Sequence, residues 1–305
     1  MTIGHYVSPA HLQQFRSPAL GGLMFAVRKS DVQSFPCDPE RACRIGENGP
    51  GPTVVFDQAA EAFLAQVDAN YDASIAKLRD GRVDRDCILA IGGFAAWVIC
   101  CAPAAMRLHQ APLEEMIAAE ATPPAGDAGD RKSPPAVSID ALYDRIALWG
   151  NSPWQILLNR DATTPFFTSD YPIVLEARDA FLANWIVPLA PDLAVRVIPD
   201  IRLRGTRPDL SFSKFAFQPQ VPRRNELVEI NRLIVRSAED MVFYRDDRSW
   251  IADFIAKNRH YRIEAVAQRI PYGEGYFNAA TQRIVAYRAD AARDAHGDAH
   301  GDAAG

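Results

Sequence analysis

Basic clusters are missing from this sequence. No run of lysine or arginine is longer than a pair such as Arg223-Arg224. Acidic residues outnumber basic ones 38 to 33, for a formal net charge of −5. The chain therefore lacks the electrostatic footprint that duplex nucleic acid requires. Cysteine is scarce: Cys37, Cys43, Cys87, Cys100 and Cys101 are an odd set without a C-x-x-C pair, which fits reduced thiols better than a disulfide framework. The stretch CDPERACRIGEN around Cys37 and Cys43 holds no histidine to complete a zinc site. The N-terminus, MTIGHYVSPAHLQQF, has neither the basic region nor the apolar run of a secretory signal, so the cytoplasm is the expected compartment. Absent too are a G-x-S-x-G elbow, a G-x-x-x-x-G-K-[ST] loop, a G-x-G-x-x-G turn and an H-E-x-x-H helix. Those absences argue against a serine hydrolase of the usual α/β type, a P-loop enzyme, a dinucleotide enzyme and a zincin.

What is present is apolar. Hydrophobic residues make up 48% of 305 and are spread along the chain, enough for one large core or two modest ones. Residues 87–106, CILAIGGFAAWVICCAPAAM, carry no charge, and a helix of that length spans about 30 Å, the thickness of a hydrocarbon core. Gly92-Gly93 and Pro103 weaken an isolated helix, and basic residues flank both ends, so the charge rule assigns no orientation. A helix buried in a protein core is the expectation, with a membrane span as the alternative.

Ser8-Pro9 reads as an N-cap followed by proline at the first helical position, opening a short helix through about Phe15. LMFAVRK (23–29) has strand composition, and residues 31–53 read as loop. Helices are expected at 54–78, after Asp84–Asp86, at 112–119 and at 138–150. Residues 120–136, rich in proline, glycine and charge, read as a disordered surface loop. Beyond Gly150 the runs WQILLN, PFFTSD, PIVLEA, NWIVPL, LAVRVIP, IRLRG and FSKFAF read as strands. Helices at 223–239 and 248–258, a strand at MVFYR and strands near YRIEAVAQRI and RIVAYR complete the pattern. This order predicts an α+β fold in which a helical N-terminal half packs with a mixed or antiparallel sheet in the C-terminal half. The expected organisation is one globular domain over 1–288 and a low-complexity tail over 289–305. His296 and His300 in that tail could hold a divalent metal weakly, but its composition reads as disorder.

Four stretches carry a resemblance. His5-Tyr6-Val7-Ser8 with Leu12 and Phe15, then Pro165-Phe166-Phe167-Thr168-Ser169-Asp170-Tyr171-Pro172, then Val187-Pro188-Leu189-Ala190-Pro191-Asp192, then Ile230-Asn231, stand in the order and spacing of a group of mostly bacterial proteins. On them the chain resembles the domain-of-unknown-function family 4238 over about residues 4–245. The resemblance implies no established activity. This chain departs from the family pattern with Ser8 where proline is favoured, Gln13 and Gln14 where arginine or asparagine is, Tyr171 for asparagine, and Cys101 in place of an arginine ahead of Pro103.

Three residues from these stretches could carry chemistry. Asp170 precedes Tyr171-Pro172 at a strand end, where it either presents a carboxylate or caps the turn with Ser169. His5 can serve as base or metal ligand near neutral pH, or as a structural hydrogen-bonding group. Asn231 could orient either from its helix. Separately, Asp57, Glu61, Asp68 and Asp72 fall within about 60° of one another on the helix at 54–78. Such an acidic stripe suits a hard cation such as Mg or Mn, or is a solvated helix flank. The sharper expectation is a metal-assisted hydrolase acting on a phosphoester-like or nucleotide substrate, with His5, Asp170 and Asn231 as catalytic residues and Glu61 and Asp170 as metal ligands. The alternative is a non-enzymatic domain that binds a small molecule or a protein partner in bacterial defence or stress response.

Overall fold

The computed structural model describes residues 4–45, 58–104, 108, 139–179, 182–203, 207–272 and 275–287. In chain order the elements are α1 (Pro9–Gln13), β1 (Met24–Arg28), β2 (Ser34–Cys37), α2 (Gln58–Arg79), α3 (Arg85–Cys101), α4 (Ile139–Gly150), β3 (Trp154–Leu158), β4 (Thr168–Ser169), β5 (Val174–Ala177), β6 (Ala183–Ala190), β7 (Leu193–Val197), β8 (Phe217–Gln220), α5 (Arg224–Ser237), β9 (Met241–Tyr244), α6 (Ile251–Asn258), β10 (Tyr261–Tyr272) and β11 (Gly275–Ala286). The expected helix at 112–119, the loop at 120–136, Asp57 and the tail at 289–305 lie outside the described residues.

Local chemistry starts the helices where the sequence indicates. The Ser8 hydroxyl accepts the Ala10 amide with Pro9 at the first helical position, and the Asp84 carboxylate accepts the Cys87 amide ahead of α3. Helix α2 buries Phe63, Val67, Tyr71 and Leu78 along one stripe. Helix α3 is buried on nearly every side, which explains its uncharged sequence without a bilayer. It lies so close to α2 that a Cβ on Gly93 would stand 2.6 Å from Val67 Cγ2 and 3.0 Å from the Phe63 ring. No helix among the described residues is long and apolar enough to cross a membrane.

The fold is mixed α and β, but its halves are not segregated as the sequence suggested. Strand β2 forms inside the segment read as loop, and β1 pairs antiparallel with β2 on one side and with the distant β9 on the other. The resulting sheet, ordered β2-β1-β9-β4, joins both ends of the chain. A five-stranded sheet, β5-β6-β7-β3-β8, is antiparallel except for the parallel pair β3 and β8, and β10 and β11 form a long hairpin. Two expected strands are absent: Ile201–Leu203 is a 3-10 turn, and the 212–217 segment is turn until β8 begins at Phe217.

Alternating residues of the five-stranded sheet enter two cores. Ile156, Leu175, Val187 and Val195 pack in the core that holds α2, α3 and α4, while Leu157, Val174, Ile186 and Ala194 pack with α5 and α6. A sheet covered on both faces needs apolar residues at successive positions, and β7 is accordingly buried throughout.

Candidate functional site

Residues 4–8 form a short ribbon that the N-terminus lays over α2 and α3. The Tyr6 amide donates to Cys43 O (2.9 Å), the Ile45 amide to Gly4 O (2.9 Å) and the Trp97 indole to His5 O (3.2 Å). The edges of this ribbon and of both helices enclose a cavity of about 400 Å³. Its polar side is His5, Ser8, Glu61 and Asp68, and its apolar floor includes Phe94 and Trp97.

The acidic stripe of α2 adds a further hold on the ribbon and on the end of α1 that follows it. The Ser8 hydroxyl donates to Asp68 Oδ1 at 2.6 Å and the Gln14 amide to Asp72 Oδ1 at 2.7 Å. Ser8 and Gln14 thus each contact a carboxylate of α2. Although Asp68 is exposed as a residue, its carboxyl end is shielded beneath Ser8, and burial raises its pKa, an effect that the Ser8 bond and His5 oppose. His5 therefore faces Asp68, and its Nε2 lies 2.9 Å from Glu40 O.

Directly beneath the floor lies His11, which the sequence reading did not single out. Fully buried, it stacks on Phe94 at 4.5 Å between ring centroids. Its Nδ1 is 2.8 Å from the Tyr71 hydroxyl and its Nε2 is 2.7 Å from Thr168 Oγ1. Burial drives its pKa down to about 3, so the ring is neutral, with one nitrogen donating and the other accepting. The available signal was a histidine beside Leu12 and one turn from Phe15, on the face that α1 turns to α2.

Asp170 and Asn231 are elsewhere, and both are committed to the backbone. Asp170 Oδ1 accepts the Glu239 amide at 2.9 Å, and Oδ2 accepts those of Asp240 and Met241 at 2.8 and 2.9 Å. From the other side the buried Lys29 ammonium donates to Ala238 O (2.5 Å) and Tyr261 O (2.7 Å), so one carboxylate and one ammonium pin the turn between α5 and β9. Burial raises the Asp170 carboxyl to about 6, against the pull of the Asp240 and Met241 amides, and lowers Lys29 to about 8. Asn231 accepts the Phe167 amide (3.0 Å) and donates to Pro165 O (2.8 Å), locking the segment that leads into β4 onto α5.

The structure thus brings His5 and Glu61 to one cavity and leaves Asp170 and Asn231 outside it. The Ser169 part of the capping expectation holds, since its hydroxyl accepts the Tyr171 amide at 3.2 Å; Asp170 caps a turn about seventy residues away in sequence instead. The expected pairing of Glu61 with Asp170 as metal ligands does not form, because every oxygen of Asp170 faces backbone amides. Among the described residues no group of three or more His, Cys, Asp or Glu side chains is arranged to hold a metal ion. No protein-family model, curated protein or solved structure matches the chain.

Proposed function

We propose that the chain binds a small organic cation, an amine carried on an apolar body, in the cavity beneath the N-terminal ribbon. The observation that carries this reading is the pairing of two carboxylates, Glu61 and Asp68, with an aromatic floor of Phe94 and Trp97 in one cavity. A volume of about 400 Å³ is within the ordinary range for small-molecule sites. Two carboxylates favour an ammonium and repel a phosphoester, and the Phe94 and Trp97 rings favour its apolar part and can add a cation–π contribution. This is the non-enzymatic alternative of the two sequence expectations, with the ligand class made specific.

Isothermal titration calorimetry of the full chain against aryl-alkyl primary amines tests it. Asp68→Asn keeps an acceptor for Ser8 but removes the charge, and a lost charge-assisted hydrogen bond is worth about 1.5–3 kcal/mol, a weakening of roughly tenfold or more. Binding unaffected by Asp68→Asn and Glu61→Gln, or no binding by any amine, overturns the proposal. A hydrolytic reading rests on the Ser8–Asp68 bond, through which Asp68 could take the serine proton. In the same preparation, ester turnover that Ser8→Ala abolishes would support it.

A further inference from the structure

A second cavity lies on the far side of α4, unconnected with the ribbon. It holds about 610 Å³ between α4 and residues 203 and 207–214 of the connection from β7 to β8. Three cationic side chains line it, Arg145 from α4 with Arg207 and Lys214 from the joining segment. None of the three forms an ion pair with a carboxylate among the described residues, although Lys214 lies near enough to Asp200 to lower its pKa, whereas Arg79, Arg196 and Arg202 each form one. Arg145, half-buried, contacts the Cys100 thiol.

Two acidic residues also line the cavity, so three cations stand against two carboxylates, and what distinguishes the acidic groups is where their oxygens point. Asp209 spends its carboxylate on its own loop: Oδ1 accepts the Ser211 amide (2.9 Å) and hydroxyl (2.5 Å), and Oδ2 the Ser213 amide (3.2 Å) and hydroxyl (2.6 Å). Asp144 is exposed at the rim.

The wall that presents these cations is fixed in place. Buried Asn151, just past α4, donates to Ala147 O (2.8 Å) and Asp209 O (2.7 Å) and accepts the Lys214 amide (3.2 Å). Phe212 takes a left-handed backbone, φ +56°, which for a bulky residue persists only where its surroundings hold it. The hold is visible: its ring lies over Gly150, where a Cβ would stand 2.4 Å from Phe212 Cδ1. A side chain at position 150 would collide with Phe212, so the glycine lets the segment that carries Asp209 and Lys214 pack against the end of α4.

We infer that this cavity binds a phosphate-bearing small molecule. Arg145, Arg207 and Lys214 meet the charged group, and the apolar surface of Ala147, Leu148, Leu203 and Pro208 takes the organic part. Guanidinium groups match phosphate oxygens two at a time, and three cations against two carboxylates leave the lining with an excess of positive charge. The volume is in the range of sites for ligands larger than the bare ion. This inference is independent of the amine site, whose carboxylates would repel such a ligand.

The test is calorimetric titration of the full chain with inorganic phosphate and with adenosine monophosphate at constant ionic strength. Binding is expected for both and tighter for the monophosphate ester, whose organic part the apolar wall takes; equal affinity for the two would overturn the role of that wall. Added salt should weaken it. The double variant Arg207→Ala/Lys214→Ala removes two exposed side chains that the fold does not use, and should weaken binding at least tenfold. Lys257→Ala, which removes an exposed cation on α6 away from both cavities, should leave it unchanged. No binding of either probe, full binding by the double variant, or loss of binding in Lys257→Ala would overturn the inference.

Discussion

At the scale of single residues, buried polar side chains on this chain are fasteners, and His11 carries a measurable pH signature. Its ring joins α1 to Tyr71 of α2 and Thr168 of β4 while stacking on Phe94 of α3, so four elements meet at one imidazole. Its pKa falls from the ordinary value near 6.5 to about 3 on folding. Below pH 6.5 the unfolded chain therefore takes up a proton that the folded chain refuses, and stability is lost as pH falls through that window. Each pH unit below 6 costs about 1.4 kcal/mol for one such group. The advantage of the wild type over His11→Gln should shrink by that amount per unit between pH 6 and pH 4, measured by urea unfolding at each pH. A constant difference across this range would mean that the ring is charged in the folded state or reaches solvent.

Among elements, the turn between α5 and β9 shows how far the sequence could be read. Ser169-Asp170 ahead of Tyr171-Pro172 was legible as turn chemistry, but the turn that Asp170 caps is formed by residues 238–241, and no local pattern specifies a partner that distant. Asp170→Asn replaces one acceptor oxygen with an amide that points donors at backbone donors. It should cost about 3 kcal/mol, the penalty for leaving buried groups unpaired beside the Lys29 ammonium. A denaturant midpoint unchanged by this substitution would return Asp170 to the list of candidate functional groups. The helices were legible for a complementary reason: Ser8, Asp84 and the stripe from Phe63 to Leu78 act within their own element. Strand β2 was not, because SFPC in a segment rich in proline and glycine is held by β1 rather than by its own composition. Nor was the cavity at Ser8 and Asp68, which depends on an N-terminal ribbon crossing a helix that starts fifty residues later.

For the molecule as a whole, the expectation of a helical half packed with a sheet half makes a prediction different from the one the fold makes. If the halves were separate layers, residues 1–150 could hold their helices together alone. In the structure β1 is a middle strand whose hydrogen-bonded neighbours are β2 and β9, and its edge toward β9 would be bare in that fragment. The core around α2, α3 and α4 draws Trp154, Val187, Val195, Phe243 and Ile263 from beyond residue 150, and Trp149 packs against Trp185 at 5.7 Å between ring centroids. His11 would also lose Thr168. Removing those contacts leaves apolar helix surface exposed and unpaired strand edges, the conditions under which specific packing fails while helix content persists. A fragment of residues 1–150 should therefore keep much of its far-UV helical signal, bind a hydrophobic dye and melt without a sharp transition, while the full chain melts cooperatively with the same midpoint in fluorescence and near-UV circular dichroism. A cooperative transition in the isolated fragment would show that the helical half folds by itself and that the β1–β9 pairing is an addition to it rather than a condition of it.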